Sequence, residues 1–343
     1  MKTVKSLIFI SLFALIGGGG FFAWQFNQFL TSPISEQNQP VTIDIKSGSS
    51  AQHIANLLHQ KNVLNSPKWF VWYLRYQEKH QLLKAGEMIL QPYWTVDELI
   101  EHLIKGDTVQ YPVTLIAGQT VQQALQAIQA LPKIKKTLDI ENVAELQTLF
   151  DIDKKINSKF PYANIEGQLL PETYHYQAGD SDKQIVLRAH QALKRVLGGA
   201  WQQREKGLPI KTSYEALILA SIVEKETGIA AERPKIAGVF INRMRRGMRL
   251  QTDPTVIYGI GMSYDGNIRK KDLQTKTSYN TYKIDGLPPT PIALSSKEAI
   301  MAVMHPEKTK ALYFVAKGGG EHYFSNNLKE HNRAVRKYIL NKR

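Results

Sequence analysis

The chain has 343 residues, with 44 Lys and Arg against 30 Asp and Glu, which gives a formal charge of +14. Apolar residues make up 43% and charged residues 22%, ordinary globular values that exclude a disordered, a collagen-like or a multi-span membrane protein. The absence of cysteine excludes disulfides, thiolate nucleophiles and cysteine-ligated metal centres. The basic excess fits an anionic partner, which could be nucleic acid, a membrane surface or an acidic polymer.

A long uncharged segment near the amino terminus predicts a membrane anchor. Ser6–Trp24 carries no charge, and two lysines but no acid precede it. About 20 apolar residues span a bilayer, and basic residues before the span favour a cytoplasmic N-terminus. The alternative is a cleaved signal peptide, whose apolar region is shorter and ends in small residues rather than in FFAW. We therefore expect residues 1–5 in the cytoplasm, a single-pass membrane anchor at 6–25, and the rest outside the cytoplasm, away from nucleic acid.

The next segment predicts a small α/β module. A linker at 26–40 ends in the Pro-bracketed polar stretch TSPISEQNQP. Between 41 and 106 follow the strand VTIDI, a helix capped by serine, an aromatic helix that begins at Pro67, the strand EMILQ, and a helix with the capping box Thr95-x-x-Glu98. The order of strand, turn and capped helix recurs in LIAGQTVQQALQAI, and either duplication or common capping rules would produce it.

Residues 107–343 predict a larger α+β domain. Helical patterns cover residues 143–150, 182–197, 213–227 and 230–244, and loops rich in Thr, Tyr, Asn, Gly and Pro follow them. The chain closes with the strands ALYFVAK and EHYFSN and a helix over Leu328–Leu340. The fold class predicted for the whole chain is therefore α+β.

Two glutamates end a helix that is apolar nearly all round. ALILASIV, residues 216–223, predicts a buried helix, and Glu224 and Glu226 follow it. Burial of a carboxyl raises its pKa, as a general acid near neutral pH requires. Helical geometry separates the two only weakly, because Glu224 lies on the stripe of Leu217 and Ala220, and Glu226 on that of Leu219 and Ile222. Two solvated carboxylates at a fraying helix end would give the same pattern.

Polar motifs on Pro- and Gly-rich loops follow this helix. QTDP, YNTY and GLPP combine amides, hydroxyls and aromatic rings, which suit a polyhydroxylated ligand, although ordinary surface loops are also polar. The nucleotide, serine-hydrolase and zinc-protease motifs are absent. His322 and His331 alone do not make a metal site, so we expect neither a metal nor an organic cofactor.

Several motifs together resemble the YceG family, the MltG-type endolytic murein transglycosylases of bacterial peptidoglycan. These motifs are ASIVEKET, VFINRM, GMRLQTDPTVIYG, YNTY, GLPPTPI and the terminal HYF and EHN. The resemblance covers nearly the whole chain and implies that residues 41–106 are a LysM-like subdomain. It implies Glu224, the first glutamate of VEKET, as the catalytic residue. PETY stands at 171–174 where the family commonly has PDTY. The substrate-binding residues implied are Gln251, Thr252, Asp253, Tyr258, Asn280, Thr281, Tyr282, Glu166, Glu172, Tyr174, His322 and Asn332.

The activity that the resemblance implies is endolytic cleavage of the MurNAc–GlcNAc β-1,4 bond in nascent glycan strands, giving 1,6-anhydro-MurNAc ends and terminating strand elongation. One carboxyl serves as acid and then as base, because the muramic acid C6 hydroxyl replaces water as the nucleophile. Peptidoglycan glycan strands and cell-wall synthases (penicillin-binding proteins) are the implied partners. The alternatives are a hydrolase of the same bond, a non-catalytic peptidoglycan-binding anchor, and a scaffold for the synthases.

Overall fold

A computed structural model describes residues 2–35, 38–152 and 162–340, with the backbone alone for residues 2–15. The described chain is a mixed α+β structure of helices and small two-stranded sheets, so the predicted class is confirmed. It divides into two compact units. The first, unit 1, comprises residues 1–111 and 176–179, and the second, unit 2, comprises residues 112–175 and 180–343.

Unit 1 builds a small core from a two-stranded antiparallel sheet and four helices. The sheet pairs Val41 with Leu90 and Ile45 with Gly86, and its alternating inward residues join the apolar faces of the helices. The predicted capping box is present, since the Thr95 hydroxyl accepts from the Glu98 backbone and the Glu98 carboxylate accepts from Thr95 N. The elements are α1 (Lys2–Thr31), β1 (Val41–Ile45), α2 (Ala51–Gln60), α3 (Pro67–Tyr76), β2 (Gly86–Leu90) and α4 (Val96–Lys105).

Helix α1 differs from the sequence expectation at its carboxyl end. It continues through Thr31, so the first six residues of the predicted linker 26–40 are helical, because no proline occurs before Pro33. The side chains of residues 6–15, in the first half of the predicted anchor, lie outside the described residues. In the part of the chain whose side chains are described, no helix has the length and apolarity needed to cross a bilayer.

Unit 2 contains most of the remaining helices. Helix α7 (Asp182–Gln202) extends beyond its predicted end at 197 because Ala200 and Trp201 continue its apolar side. Helix α9 (Arg233–Arg245) begins three residues later than predicted, with Pro234 in its first turn, where proline is well tolerated. The helices are α5 (Val121–Gln129), α6 (Val143–Leu149), α7 (Asp182–Gln202), α8 (Ser213–Glu226), α9 (Arg233–Arg245), α10 (Asp253–Ile260), α11 (Lys270–Gln274), α12 (Lys297–Met304) and α13 (Leu328–Tyr338).

The remaining strands form two pairs. Strand β5 (Tyr313–Gly318) pairs antiparallel with β6 (Glu321–Ser325), in the register Tyr313 with Ser325. Strand β3 (Tyr111–Thr114) pairs with β4 (Thr173–Tyr176).

Helix α8 is the centre of the core of unit 2. Every residue from Ala216 to Val223 is buried, as the apolar sequence predicts, and α8 packs against α7, α9, α10 and α12. Because the middle of α8 is buried on all sides, its polar residues are confined to its ends. Glu224 and Glu226 therefore lie where α8 leaves the core.

Candidate active site

The two glutamates at the end of α8 leave it on different sides, since two residues rotate a helix by about 200°. Glu224 Oε1 accepts a hydrogen bond from Arg233 Nη2 at 2.9 Å. Glu224 Oε2 accepts from Ser296 N at 2.9 Å and from the Ser296 hydroxyl. The Glu224 side chain is only 5% exposed. Its two oxygens thus tie α8 to the start of α9 and to the N-cap of α12.

Glu226 lies on the other side of α8, at the wall of a cleft of about 430 Å³. Its Oε1 accepts a hydrogen bond from the Thr252 hydroxyl. Burial raises the pKa of the Glu226 carboxyl to about 7, and the negative charge of Asp253 acts in the same direction. The Thr252 hydrogen bond, His322 and Arg243 oppose the rise. Glu226 therefore combines access to a cleft with a proton that it can exchange near neutral pH.

A group of buried threonines fixes the hydroxyl that contacts Glu226. Thr252 N donates to the Thr281 hydroxyl at 3.0 Å, and the Thr255 hydroxyl donates to Thr252 O at 2.8 Å. The Thr255 and Thr281 hydroxyls are 2.9 Å apart. Thr252 precedes α10, and Pro254 occupies its first turn, so QTDP begins a helix rather than lying in a loop. Positions 252, 255 and 281 thus form a rigid support behind the cleft.

Asp253 and Gln251 flank Thr252 and face solvent at the cleft. Asp253 Oδ1 accepts a hydrogen bond from the Tyr282 hydroxyl at 2.6 Å. Gln251 has φ of 49°, a left-handed backbone that is costly for a residue with a Cβ and is often found at functional sites. Its Oε1 lies 3.4 Å from Arg243 Nη1. The local backbone directs three consecutive polar side chains toward one cavity.

Arg243 is a residue of the cleft that the sequence analysis did not single out. Its guanidinium donates to Leu312 O and Leu250 O, each at 2.7 Å, and lies 5.0 Å above the Tyr313 ring. Tyr313 also stacks on His331, with centroids 5.2 Å apart. Burial and the neighbouring Arg243 lower the pKa of His331, so this imidazole is neutral near pH 7. Arg243 therefore holds the β5 wall against the QTDP segment.

The cleft brings together five of the twelve residues predicted to bind substrate, while the other seven lie elsewhere or behind it. The predicted residues in its lining are Gln251, Thr252, Asp253, Tyr282 and Asn332. The lining residues that sequence reasoning did not assign to the site are Glu226, Phe240, Arg243, Leu250, Tyr313, Phe314, Leu328 and His331.

Asn280 is buried and binds backbone rather than the cleft. Its Nδ2 lies 3.0, 3.2 and 2.6 Å from the carbonyl oxygens of Asp272, Leu273 and Thr275, and its Oδ1 accepts from Tyr282 N at 3.0 Å. The side chain thus closes the loop that carries Thr281 and Tyr282. The YNTY motif supplies one cleft residue, Tyr282, and two supporting residues.

We expect Asn280→Ala to lower the stability of the fold rather than to act directly on the catalytic step. Losing the amide leaves buried carbonyls without donors, which costs about 1–3 kcal/mol. Thermal unfolding of Asn280→Ala should shift downward, whereas Asn267→Ala, at an exposed position of the same region, should leave the midpoint unchanged. An unchanged midpoint together with lost turnover would instead make Asn280 a direct substrate contact.

Buried Glu166 and half-buried Tyr258 form a separate pair. Glu166 Oε1 accepts from Val121 N at 2.8 Å and Gly167 N at 3.1 Å, and Oε2 accepts from the Tyr258 hydroxyl at 3.1 Å. Burial raises the pKa of Glu166 to about 7. Gly167 has φ of 76°, and a Cβ there would lie 2.6 Å from Pro291, so only glycine fits. Glu166 thus anchors the first turn of α5, outside the cleft lining.

The remaining predicted residues also lie outside the cleft lining. The Tyr174 hydroxyl donates to Leu170 O at 2.8 Å, and Glu172 is exposed. His322 Nδ1 lies 2.8 Å from Glu232 Oε2, and His322 N donates to Glu232 Oε1 at 2.9 Å. Among the described residues no cluster of three or more His, Asp or Glu side chains could hold a metal ion.

Comparison with known proteins identifies the family. Residues 43–337 match the model of the YceG-like family. This chain belongs to the YceG-like family. The matched range includes the end of α8 and every residue that lines the cleft.

Named relatives align with almost the whole chain. The endolytic murein transglycosylase of Bacillus subtilis (strain 168) is 34% identical over 342 residues, which cover 96% of this chain and 92% of the relative. That of Streptococcus pneumoniae strain D39 is 30% identical and covers 99% of this chain, which spans 66% of the relative. The crystal structure of a yceG-like protein from Listeria monocytogenes shares 33% identity and a TM-score of 0.56, covering 87% of this chain and 99% of that one.

Proposed function

We propose that this chain is an endolytic peptidoglycan lytic transglycosylase and that Glu226 is its general acid. The observation that carries the proposal is a cleft containing a carboxyl whose pKa is raised to about 7, in a chain whose curated relatives are named endolytic murein transglycosylases. Glu224, which the family motif suggested from sequence, has both oxygens bound to Arg233 and Ser296. Those contacts favour Glu226 for the chemistry.

One carboxyl can perform both proton transfers of this reaction. Glu226 donates its proton to the oxygen that links MurNAc C1 to GlcNAc C4, and the C1–O bond breaks. The C6 hydroxyl oxygen of the same MurNAc bonds to C1, and its proton passes to the Glu226 carboxylate. A 1,6-anhydro-MurNAc end and a free GlcNAc C4 hydroxyl result. No water enters, and Glu226 returns to its protonated state ready for the next bond.

The cleft offers contacts that suit a sugar chain. Tyr282, Tyr313 and Phe314 provide aromatic surface, and Gln251 and Asn332 provide amides that can bind hydroxyl or N-acetyl groups. Thr252 acts as a positioning residue because its hydroxyl donates to the carboxyl oxygen of Glu226. The Thr252 hydrogen bond fixes the carboxyl and leaves its second oxygen for the glycosidic oxygen.

A hydrolase of the same bond is the second candidate, and Asp253 is the observation in its favour. A hydrolase needs a second carboxylate to activate water or attack C1. Asp253 is close enough to Glu226 to raise its pKa, but its Oδ1 accepts the Tyr282 hydroxyl at 2.6 Å. That hydrogen bond occupies one oxygen of Asp253 and holds the side chain against Tyr282 rather than leaving it to orient a water.

Mass analysis of the products separates these candidates. The full chain is incubated with purified sacculi, and the soluble glycan ends are measured by mass spectrometry. The proposal expects 1,6-anhydro ends in the interior fragments. Fragments heavier by one water per new end would establish a hydrolase, and intact strands recovered with the protein would establish a non-catalytic binder.

The activity should depend on pH through Glu226. Since the acid must begin protonated, kcat/KM should fall as pH rises through about 7 and be retained below it. Glu166 has a similarly raised pKa, so Glu166→Gln is the control. That variant should keep the activity limb near pH 7. If the pH dependence disappears in Glu166→Gln, the group that titrates near pH 7 is Glu166 and not Glu226.

Glu166→Gln should also change how the free energy of unfolding depends on pH. The folded protein holds the Glu166 proton up to about pH 7, whereas the unfolded chain loses it near 4.5. Between these values the folded state binds more protons, so the free energy of unfolding falls as pH rises. Glu166→Gln should make that fall shallower, with the contribution of Glu226 remaining, and denaturant titrations at a series of pH values would measure it.

The uncharged run Ser6–Trp24 supports an anchor at 6–25 in the inner membrane, with the N-terminus cytoplasmic and the cleft periplasmic. Residues 41–106 would be a LysM-like subdomain that binds glycan, and residues 107–343 the catalytic domain. Nascent strands beside the membrane would be the substrate, which makes penicillin-binding synthases the expected neighbours. Detection of Met1 by N-terminal sequencing of the membrane-bound protein tests the anchor, and a mature start after residue 20 would contradict it.

A further inference from the structure

Helix α3 has a buried face and an aromatic face. Phe70, Val71 and Leu74 are buried in the core of unit 1. Trp72 and Tyr76 are 54% and 74% exposed. Together with Trp69 and Tyr73 they follow the spacing i, i+3, i+4, i+7, which is one side of a helix. Large exposed aromatic residues in one patch mark an interaction surface.

The aromatic face of α3 continues onto α1. The rings of Phe22 and Trp69 have centroids 5.7 Å apart, and those of Phe26 and Trp72 are 5.4 Å apart, both edge to face. Trp72 stacks on Tyr76 at 5.6 Å. We call Phe22, Phe26, Trp69, Trp72 and Tyr76 the aromatic platform. Tyr73 donates to Asp97 Oδ1 at 2.7 Å, which ties α3 to α4 and fixes the platform in unit 1.

The position of the platform along α1 determines its depth. At 1.5 Å per residue the uncharged segment Ser6–Trp24 is about 28 Å long, close to the hydrocarbon thickness of a bilayer. Phe22 lies within that segment and Phe26 half a turn beyond its end. Because Trp69 contacts Phe22 and Trp72 contacts Phe26, the platform lies at the level where the segment leaves the hydrocarbon. Tryptophan and tyrosine are enriched at that level of membrane proteins.

The chain segment that carries α3 is basic. Between residues 59 and 84 there is one acid, Glu78, against five basic residues. Four of these are exposed, and the fifth, Lys79, is partly exposed. Basic side chains are attracted to anionic lipid headgroups. We call the basic residues of this segment the basic rim: Lys61, Lys68, Arg75, Lys79 and Lys84.

We propose that the aromatic platform and its basic rim seat unit 1 in the headgroup layer of an anionic bilayer, beside the segment that enters it. The inference rests on the proposed anchor at 6–25. Aromatic rings would occupy the boundary between acyl chains and headgroups, and the five basic side chains would bind lipid phosphates. Unit 1 would then be held at the membrane surface rather than tethered away from it.

The absence of cysteine in the chain allows a direct test of depth. The full chain is reconstituted into vesicles of phosphatidylethanolamine and phosphatidylglycerol with a nitroxide attached at Tyr76→Cys. A matched label at Glu101→Cys, exposed on the acidic side of α4, serves as the control. Collision with oxygen, which concentrates in lipid, and with a water-soluble nickel chelate is measured by electron paramagnetic resonance.

The platform predicts a ratio of oxygen to nickel collisions several-fold higher at position 76 than at position 101. If the protein floats with the vesicles and both labels are equally accessible to nickel, the platform is refuted and the anchor stands. If the protein does not float with the vesicles, both the membrane anchor and the platform are refuted. A label at 76 that is shielded from both reagents would mean that protein, such as a second copy of this chain, covers the face instead of lipid.

Discussion

Glu226→Gln should release no measurable anhydro product from sacculi while leaving the fold intact. Glutamine keeps the shape of the side chain and can still accept the hydrogen bond from the Thr252 hydroxyl. It cannot donate or accept the reacting proton, and proton transfer contributes typically about 10²–10⁴-fold to a rate. Since one carboxyl serves both half-steps, we expect a loss at the upper end of that range. Product mass analysis of wild type and variant measures it.

The stability of Glu226→Gln should be unchanged or higher at neutral pH. Burial raises the pKa of Glu226 to about 7, so ionising it in the folded protein is unfavourable compared with the unfolded chain. Glutamine removes that cost. Greater stability together with lost activity is the pattern expected of a catalytic group. A variant that unfolds and thereby loses activity would make Glu226 structural, and a variant that cleaves normally would place the acid elsewhere, with Asp253 examined next.

For Glu224→Gln, two residues from Glu226, we expect the opposite combination of activity and stability. It should retain cleavage and lose stability, because a glutamine can bind Ser296 but does not balance the charge of Arg233. Retained stability with lost cleavage in Glu224→Gln would restore the assignment that the family motif suggested. The pair of variants thus separates chemistry from packing within one helical turn.

The sequence could predict α8 but not the roles of its two glutamates. The apolar run from Ala216 to Val223 specifies burial from local composition alone, and the structure confirms it. The partners that distinguish the glutamates are remote. Ser296 is 72 residues from Glu224, and Thr252 is 26 residues from Glu226. Helical stripes indicate which side a residue occupies, but not what lies opposite.

The polar motifs show the same limit. QTDP and YNTY were recognisable as a binding constellation, and Gln251, Asp253 and Tyr282 do line the cleft. Asn280 has the composition of a binding residue but closes its own loop by four hydrogen bonds. Arg243 gave no local signal, because an arginine in a basic helix end usually faces solvent. Its burial depends on three backbone carbonyls, two of them six and seven residues along the chain and the third, Leu312 O, 69 residues away.

Glu224→Ala should cause the largest loss of stability of the variants considered. Arg233 is 13% exposed and Glu224 5% exposed, so the pair lies in the interior and solvent screens it little. Removing one partner of a buried pair typically costs about 3–5 kcal/mol, because the other charge is left uncompensated. For a domain of this size, on the order of 10 °C in the melting temperature follows. Calorimetry of the full chain measures the shift.

A surface pair and a double substitution show whether the buried charge is the cause. Glu205 Oε1 lies 3.8 Å from Lys308 Nζ, and the Lys308 side chain is 89% exposed. Because exposed ion pairs contribute little to stability, Glu205→Ala should change the melting temperature little. Adding Arg233→Ala to Glu224→Ala removes the uncompensated guanidinium, so the double variant should be less destabilised than the sum of the single ones. Additive losses would mean that Arg233 and Glu224 are not coupled. The Ser296 hydrogen bonds alone would then account for the stability, and the fixed end of α8 that presents Glu226 would depend on α12 rather than on α9.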